Sequence, residues 1–387
     1  MSGTWMFVRP RRIGRGAGIA FVFAGVLLTG FATGSWSQES DGGSGEGAPI
    51  RPRTLADAPT PPVGGSDAGE LVSRSGDRWS AAYSAREYEG LRQALDGEYV
   101  GVGIAVRRSA QGVLEVARVT EGSPADRAGI RRGDLLRTVD GEAVAASPVT
   151  EVVALLRGGH GGADSEPQAV PGSEVELGLS RDGRRWEHEL RRAELRTVSV
   201  SVREMAPDCV RITVEAFTKG TAEDVREAVR ALPAGTGVLL DLRGNAGGLL
   251  HEAADTAGVF LDGGVVGTYD EGGTQRALRA ERGGDTRTSL VVLVDGGSMS
   301  AAELVAGALQ DRGRALVVGT RTFGKGTVQM PREQPDGSVA ELTVGHYTTP
   351  TGRELDGVGL APDVTVREGE RATAKARTVL SGLSGAG

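Results

Sequence analysis

The chain has 387 residues, 39% hydrophobic and 25% charged, a balance for soluble globular domains and a length for two or three of them. Its formal charge of −7 and aromatic content of 4% exclude nucleic acid as the expected partner, because phosphate contacts need a basic surface and base stacking needs rings. The one cysteine, Cys209, excludes an intramolecular disulfide and a lone-cysteine metal site; it reads as a small buried residue at the start of a strand.

In chain order, Arg9, Arg11, Arg12 and Arg15 precede the apolar run Ala17 to Ala32, the pattern of an export signal. Residues 1–34 are expected to be either a signal peptide, cleaved after Ala32-Thr33-Gly34, or a retained membrane anchor. Both place the rest of the chain outside the cytoplasm, in the cell envelope or beyond it. Residues 35–75 are rich in Gly, Ser, Pro and Asp and read as a flexible tether. Residues 76–96 read as a short helical segment.

A mixed domain is expected over 97–196. Val102, Ile104 and Val106 alternate as in a half-buried strand, and Val113 to Val119 reads as a second one. Ser123-Pro124 opens a one-turn helix. The spacing of Val149, Val152, Val153 and Leu156 predicts an amphipathic helix. A polar loop from Gly158 to Ser173 leads to a hairpin turning at Asp182-Gly183.

From 197 to 366 the pattern is α/β, followed by a tail over 367–387. Thr221 and Asp224 suggest a capped helix start. Val238 to Leu242 and Leu290 to Val294 read as buried strands, each running through a Gly-rich turn into a helix, with a third strand over Ala315 to Val318. Alternating strands and helices imply a largely parallel sheet.

The two Gly-rich turns carry the chemistry. Helix N-termini expose unpaired N–H groups, and two such ends facing one point make an oxyanion hole. Ser300 stands at the second, where Ala301 N–H could hold the oxygen of an attacked carbonyl, with Gly247 or Gly248 as the other donor. Of the histidines, His160, His188, His251 and His346, none lies in a triad context. Lysines are rare: only Lys219, Lys325 and Lys375 occur, and Lys325 lies in Thr322-Phe323-Gly324-Lys325-Gly326-Thr327. A desolvated lysine can act as a base, whereas arginine stays protonated. The bland readings are a Ser helix cap and a solvated loop cation. Gly319, Gly324 and Lys325 match most of a phosphate-binding loop, but Gly326 stands where Ser or Thr is needed. Gly296-Gly297-Ser298-Met299-Ser300 also breaks the nucleophile pattern of α/β-hydrolases.

Residues 97–366 resemble the carboxyl-terminal processing peptidases, or tail-specific proteases. The motifs are Asp241-Leu242-Arg243-Gly244-Asn245-Ala246-Gly247-Gly248, Gly297-Ser298-Met299-Ser300-Ala301-Ala302-Glu303 and Arg321-Thr322-Phe323-Gly324-Lys325-Gly326-Thr327-Val328-Gln329, joined by Tyr347 to Arg353 and Pro362-Asp363-Val364. The mixed domain resembles a PDZ domain through Gly101-Val102-Gly103-Ile104 and the run Gly122 to Gly141. The resemblance implies a ClpP/crotonase-like α/β core preceded by a PDZ domain. It implies a Ser–Lys endopeptidase with Ser300 as nucleophile, Lys325 as base and Gln329 orienting the lysine, and no metal or cofactor. It also implies capture of protein C-termini at Gly101, Val102, Gly103 and Ile104, with Val149 and Val153 on the facing helix. Met299, Ala246, Ala302 and His251 depart from the usual pattern. The competing expectation is an inactive or gated PDZ protein that binds peptide tails without cutting them; a homo-oligomer, an adaptor and a membrane contact through residues 1–34 stay open as partners.

Overall fold

The computed structural model describes residues 66–109, 112–158, 170–271 and 273–384. The signal or anchor segment and most of the expected tether lie outside the described residues, as does most of the polar loop after Gly158. Among the described residues no helix is long and apolar enough to cross a membrane.

The chain enters through α1 (Asp67–Ser75), β1 (Ala81–Tyr83) and α2 (Ala85–Leu95). The sequence expectation is corrected here twice. The last residues of the expected tether form α1, capped by the Ser66 side chain, and Ala81–Tyr83 is strand rather than helix. Both follow from tertiary partners. Ala68 N–H donates to Ser338 Oγ, and β1 pairs with a late strand through Ala81↔Glu341 and Tyr83↔Val339. Local composition signals neither contact.

A small module follows: β2 (Glu98–Gly101), β3 (Ile104–Arg108), β4 (Leu114–Val119), α3 (Pro124–Arg127), β5 (Leu135–Val139), β6 (Glu142–Ala143), α4 (Val149–Leu156), β7 (Glu174–Arg181), β8 (Arg184–Arg191) and β9 (Ala193–Arg196). Strands β3-β4-β5-β7-β8 form an antiparallel sheet, and β2 pairs with β9 to close the module at its two ends. Asp182 and Gly183, with φ of 50° and 80°, turn the β7–β8 hairpin as the Asp-Gly pair predicts. Leu136, Val139, Val152, Leu177 and Leu179 share its separate core.

The remaining chain builds two sheets from β10 (Val200–Ala206), β11 (Cys209–Val214), α5 (Thr221–Arg230), β12 (Gly237–Asp241), α6 (Leu250–Gly258), β13 (Gly264–Glu271), β14 (Thr274–Ala280), β15 (Leu290–Val294), α7 (Ala301–Asp311), β16 (Leu316–Gly319), β17 (Thr327–Glu333), β18 (Val339–Thr348), β19 (Val364–Thr365) and α8 (Ala372–Ser384). The main sheet runs β10-β11-β12-β15-β16-β19 and is parallel except at the β10–β11 edge. Strands β12 and β15 are buried along their whole length, which is why they read as unbroken apolar runs. Helices α6 and α7 cover one face; α8, expected only as a tail, covers the other through Ala376 and Leu380. The second sheet, β1-β18-β13-β14 with β17 beside β18, is antiparallel. Helix α5 begins at Thr221 as expected, but its cap is not Thr221 with Asp224. Gly220 occupies the cap position, and the Glu252 carboxylate accepts from Gly220 N–H and Ala222 N–H.

Candidate active site

Two strand-to-helix loops meet at the C-terminal edge of the main sheet, where open α/β sheets place their sites. The first leaves β12 and enters α6; the second leaves β15 and enters α7. They are stitched together. Met299 N–H donates to Asn245 C=O at 2.9 Å, and Gly244 and Gly297 N–H both donate to Asp295. The hydroxyl of Ser298 donates to Leu242 C=O at 2.8 Å and accepts from Asp295 N–H. Ser298 is therefore committed to the loop, whereas the Ser300 hydroxyl makes no such bond.

Ser300 caps α7 with φ 55° and ψ −115°, a conformation that costs a non-glycine residue about 1–3 kcal/mol. The turn throws its side chain off the helix path. Its Oγ is buried and without a hydrogen-bond partner, so the bond to Lys325 is not closed in this conformation. Apo catalytic hydrogen bonds are often long and tighten with substrate.

The backbones of the two residues are nonetheless tied together twice. The Glu303 carboxylate, fully buried on the first turn of α7, accepts from Ser300 N–H at 2.8 Å and Lys325 N–H at 2.9 Å. It also accepts from Gly324 N–H and the Thr322 hydroxyl. Burial pushes its carboxyl up, and these four donors pull it back. On the other side, the hydroxyl of Tyr347 lies 3.0 Å from both Ser300 C=O and Lys325 C=O. Neither Glu303 nor Tyr347 has a role in the sequence reading. The signal was Glu303 at the third position of a helix that starts on Ser300, where a carboxylate reads as an ordinary cap.

The Lys325 side chain is 4% exposed, and burial pushes its amine down to about 8. The carboxylates of Glu341, Asp77 and Asp356 oppose that shift. Its Nζ lies 5.0 Å from the ring centroid of Trp79, whose edge packs on Phe323. Glu341 is fully buried on β18, and burial raises its carboxyl to about 7. Gln329 sits on β17 opposite Thr343, with Nε2 donating to the hydroxyls of Thr327 at 2.7 Å and Thr343 at 3.1 Å. His251 and His346 are exposed, and His188 lies on β8 in the small module.

Of the expected oxyanion donors, Ala301 is the first residue of α7, where no intrahelical acceptor exists for its N–H. Gly247 N–H donates to Asn245 Oδ1 at 2.8 Å and so is already used. Gly248 forms a parallel bridge to Phe217 in which the flanking bonds are Phe217 N–H to Gly247 C=O and Leu249 N–H to Phe217 C=O. That register turns the peptide groups of Gly248 away from Phe217. Only glycine fits: φ is 135°, and a Cβ would lie 2.3 Å from Phe217 O.

In the small module, Gly101, Val102, Gly103, Ile104 and Val153 line one groove, with Arg157 at its side. Val149 packs half-buried against the module core. Three residues of α2, Gly90, Gln93 and Ala94, and Thr218 of the larger unit form the opposite wall.

Residues 208–366 match the model of peptidase family S41 and residues 115–164 match a PDZ domain. Carboxyl-terminal-processing peptidase 3, chloroplastic, of Arabidopsis thaliana is 36% identical over 316 residues, which cover 77% of this chain and 59% of that protein. A Staphylococcus aureus protein described as a CtpA-like serine protease is 32% identical over 302 residues, 76% of this chain and 58% of that one. The chain thus spans about three-fifths of the length of these relatives. A solved S41 protease from Bacteroides fragilis shares the fold at 17% identity, with a TM-score of 0.52 over 83% of this chain and 91% of that one.

Proposed function

The chain carries a PDZ domain followed by a peptidase family S41 domain, the arrangement of the carboxyl-terminal processing peptidases it resembles, and on that premise we propose that it is a serine endopeptidase working by a Ser300–Lys325 dyad. The observation that carries the reading is the double tie of Glu303 and Tyr347 across Ser300 and Lys325. It ties the backbone of the serine to the backbone of a lysine whose amine is buried and depressed.

Neutral Lys325 takes the Ser300 proton, and Oγ forms a bond to the scissile carbonyl carbon. The tetrahedral oxyanion accepts from Ala301 N–H and Gly248 N–H. Lys325 returns the proton to the leaving amine, the peptide bond breaks, and water hydrolyses the acyl-enzyme by the same proton route. Gln329 orients the lysine. A protein tail adds beside β3 in the PDZ groove, its carboxylate held by the amides of Gly101 to Ile104, with Val153 against an apolar side chain. The basic and apolar run before Ala32 supports export, with signal cleavage or anchoring as its two outcomes.

Digestion of unfolded casein tests the chemistry. Ser300→Ala and Lys325→Ala are each expected to lower kcat on the order of a thousandfold or more. Full cutting by Lys325→Ala would overturn the dyad. A second reading, a gated or silent tail-binding protein, is favoured by the unbonded Ser300 Oγ. Tail-peptide binding without cutting in the native chain would establish it.

A further inference from the structure

Asp77 lies between α1 and β1, upstream of both matched domains, yet it reaches the active site. Its Oδ2 accepts from the Thr343 hydroxyl at 2.6 Å and from the Ser80 hydroxyl at 2.8 Å. Burial would raise this carboxyl, but those bonds and the amides of Trp79 and Ser80 outweigh it and hold it below the usual range. Asp77 is thus an anion at neutral pH and can only accept.

A proton order follows. Thr343 gives its single proton to Asp77, so its oxygen can only accept from Gln329. The Gln329 amide must then turn Nε2 to Thr343 and Thr327. With the amide reversed, Oε1 would face a hydroxyl whose proton is already committed. The correct orientation leaves Oε1 on the opposite side, buried and without a hydrogen-bond partner. A buried acceptor of that kind calls for a donor. Two cations lie on the Trp79 ring, Arg78 and Lys325; Arg78 is exposed, whereas Lys325 is buried like Oε1, and its amine feels the charge of Asp77.

We propose that Asp77 is a positioning residue for the lysine base, acting through Thr343 to fix the Gln329 amide so that Oε1 is the acceptor for the Lys325 ammonium. The inference rests on Lys325 being the general base. It extends the site into a segment that the sequence reads as tether and short helix. The groups acting on the lysine charge are Glu341 from β18, Asp77 from the α1–β1 loop and Asp356 from the loop before β19.

The test exploits the three lysines, Lys219, Lys325 and Lys375. With ε-13C-lysine labelling, Lys325 is assigned by Lys325→Ala and titrated by NMR, while casein turnover gives kcat and KM. Thr343→Val keeps the Asp77 charge and removes the relay. It should lower the Lys325 pKa by about one unit and kcat about tenfold, with KM unchanged. Thr343→Ser should restore both, and Asp77→Ala should move both in the same direction as Thr343→Val. Ser338→Ala, which removes the hydroxyl that accepts from Ala68 N–H and donates to Asp336 and so loosens the docking of α1, should match the native chain in both readouts, with melting curves checking that every variant is folded. A Thr343→Val chain that titrates and turns over like the native one overturns the proposal. So does a Ser338→Ala chain as impaired as Thr343→Val, because docking alone would then explain the effect. If the native chain cuts nothing, the peptidase reading fails and the titration alone decides this inference.

Discussion

As the base of the proposed dyad, Lys325 sets the pH dependence. Burial disfavours its ammonium, and the proposed base is the neutral amine, so kcat/KM should rise with pH through about 8. The Glu341 anion stabilises the ammonium and opposes that shift. Glu341→Gln should therefore move the midpoint of the pH–rate profile to lower pH, by about half a unit to one unit. An unmoved or alkaline-shifted midpoint would show that Glu341 does not act on the base. Tyr347→Phe removes the hydroxyl between Ser300 C=O and Lys325 C=O and should cost about 1–3 kcal/mol in denaturant unfolding, with a larger loss in kcat than in KM. At this scale the position of Ser300 at a strand-to-helix turn and the desolvation of Lys325 were legible, because the Gly-rich turn marks the first and a lysine in an arginine-using chain marks the second. Glu303 was written in the same motif but looked like a cap. Asp77 was illegible: besides its neighbour Ser80 it binds the Thr343 hydroxyl 266 residues away, and nothing in its polar surroundings marks it. Gly247 was legible as a loop glycine, but not that Asn245 occupies its amide.

The elements divide by how local their causes are. β12 and β15 declare themselves because both faces are buried. The hairpin at Asp182-Gly183 declares itself because its turn needs two residues of positive φ. The antiparallel β17–β18 pair was only partly visible, and β1 not at all, since three half-buried residues form a strand only when β18 is there to pair with. The cap of α5 belongs to the same class, because Glu252 supplies it from α6. The Gly248 loop is the element on which the oxyanion reading turns. Gly248→Ala forces a Cβ against Phe217 O at a positive φ, so it should cost more than about 1 kcal/mol of stability. It should also abolish casein cleavage even below the melting transition. Activity near native in a folded Gly248→Ala chain would place the oxyanion elsewhere.

In the whole molecule the peptide groove is not a property of the small module alone. Its outer wall is α2 with Thr218, and Phe217 next to Thr218 bridges Gly248. The groove wall at Thr218 therefore lies one residue from Phe217, the bridge partner of the proposed oxyanion donor Gly248. Peptides with an apolar free C-terminus should be cut in preference to the same peptides amidated; equal kcat/KM would separate groove from cleavage. The order of PDZ and peptidase units was legible from motif order, while the reach of residues 67–95 across both was not. A chain beginning at Ser84 retains Ser300, Lys325 and Gln329 but lacks Asp77 and Trp79. It should fold, by near-native circular dichroism, and cut casein at least about tenfold more slowly. The consequence concerns the life of the chain on the ribosome. Asp77 and Trp79 are made early, but Phe323, Lys325 and Thr343 emerge some 250 residues later, so the groups that complete the lysine pocket must wait for nearly the whole polypeptide. A site assembled in this way stays incomplete while the chain is being synthesised, and its lysine pocket closes only when segments some 250 residues apart have met.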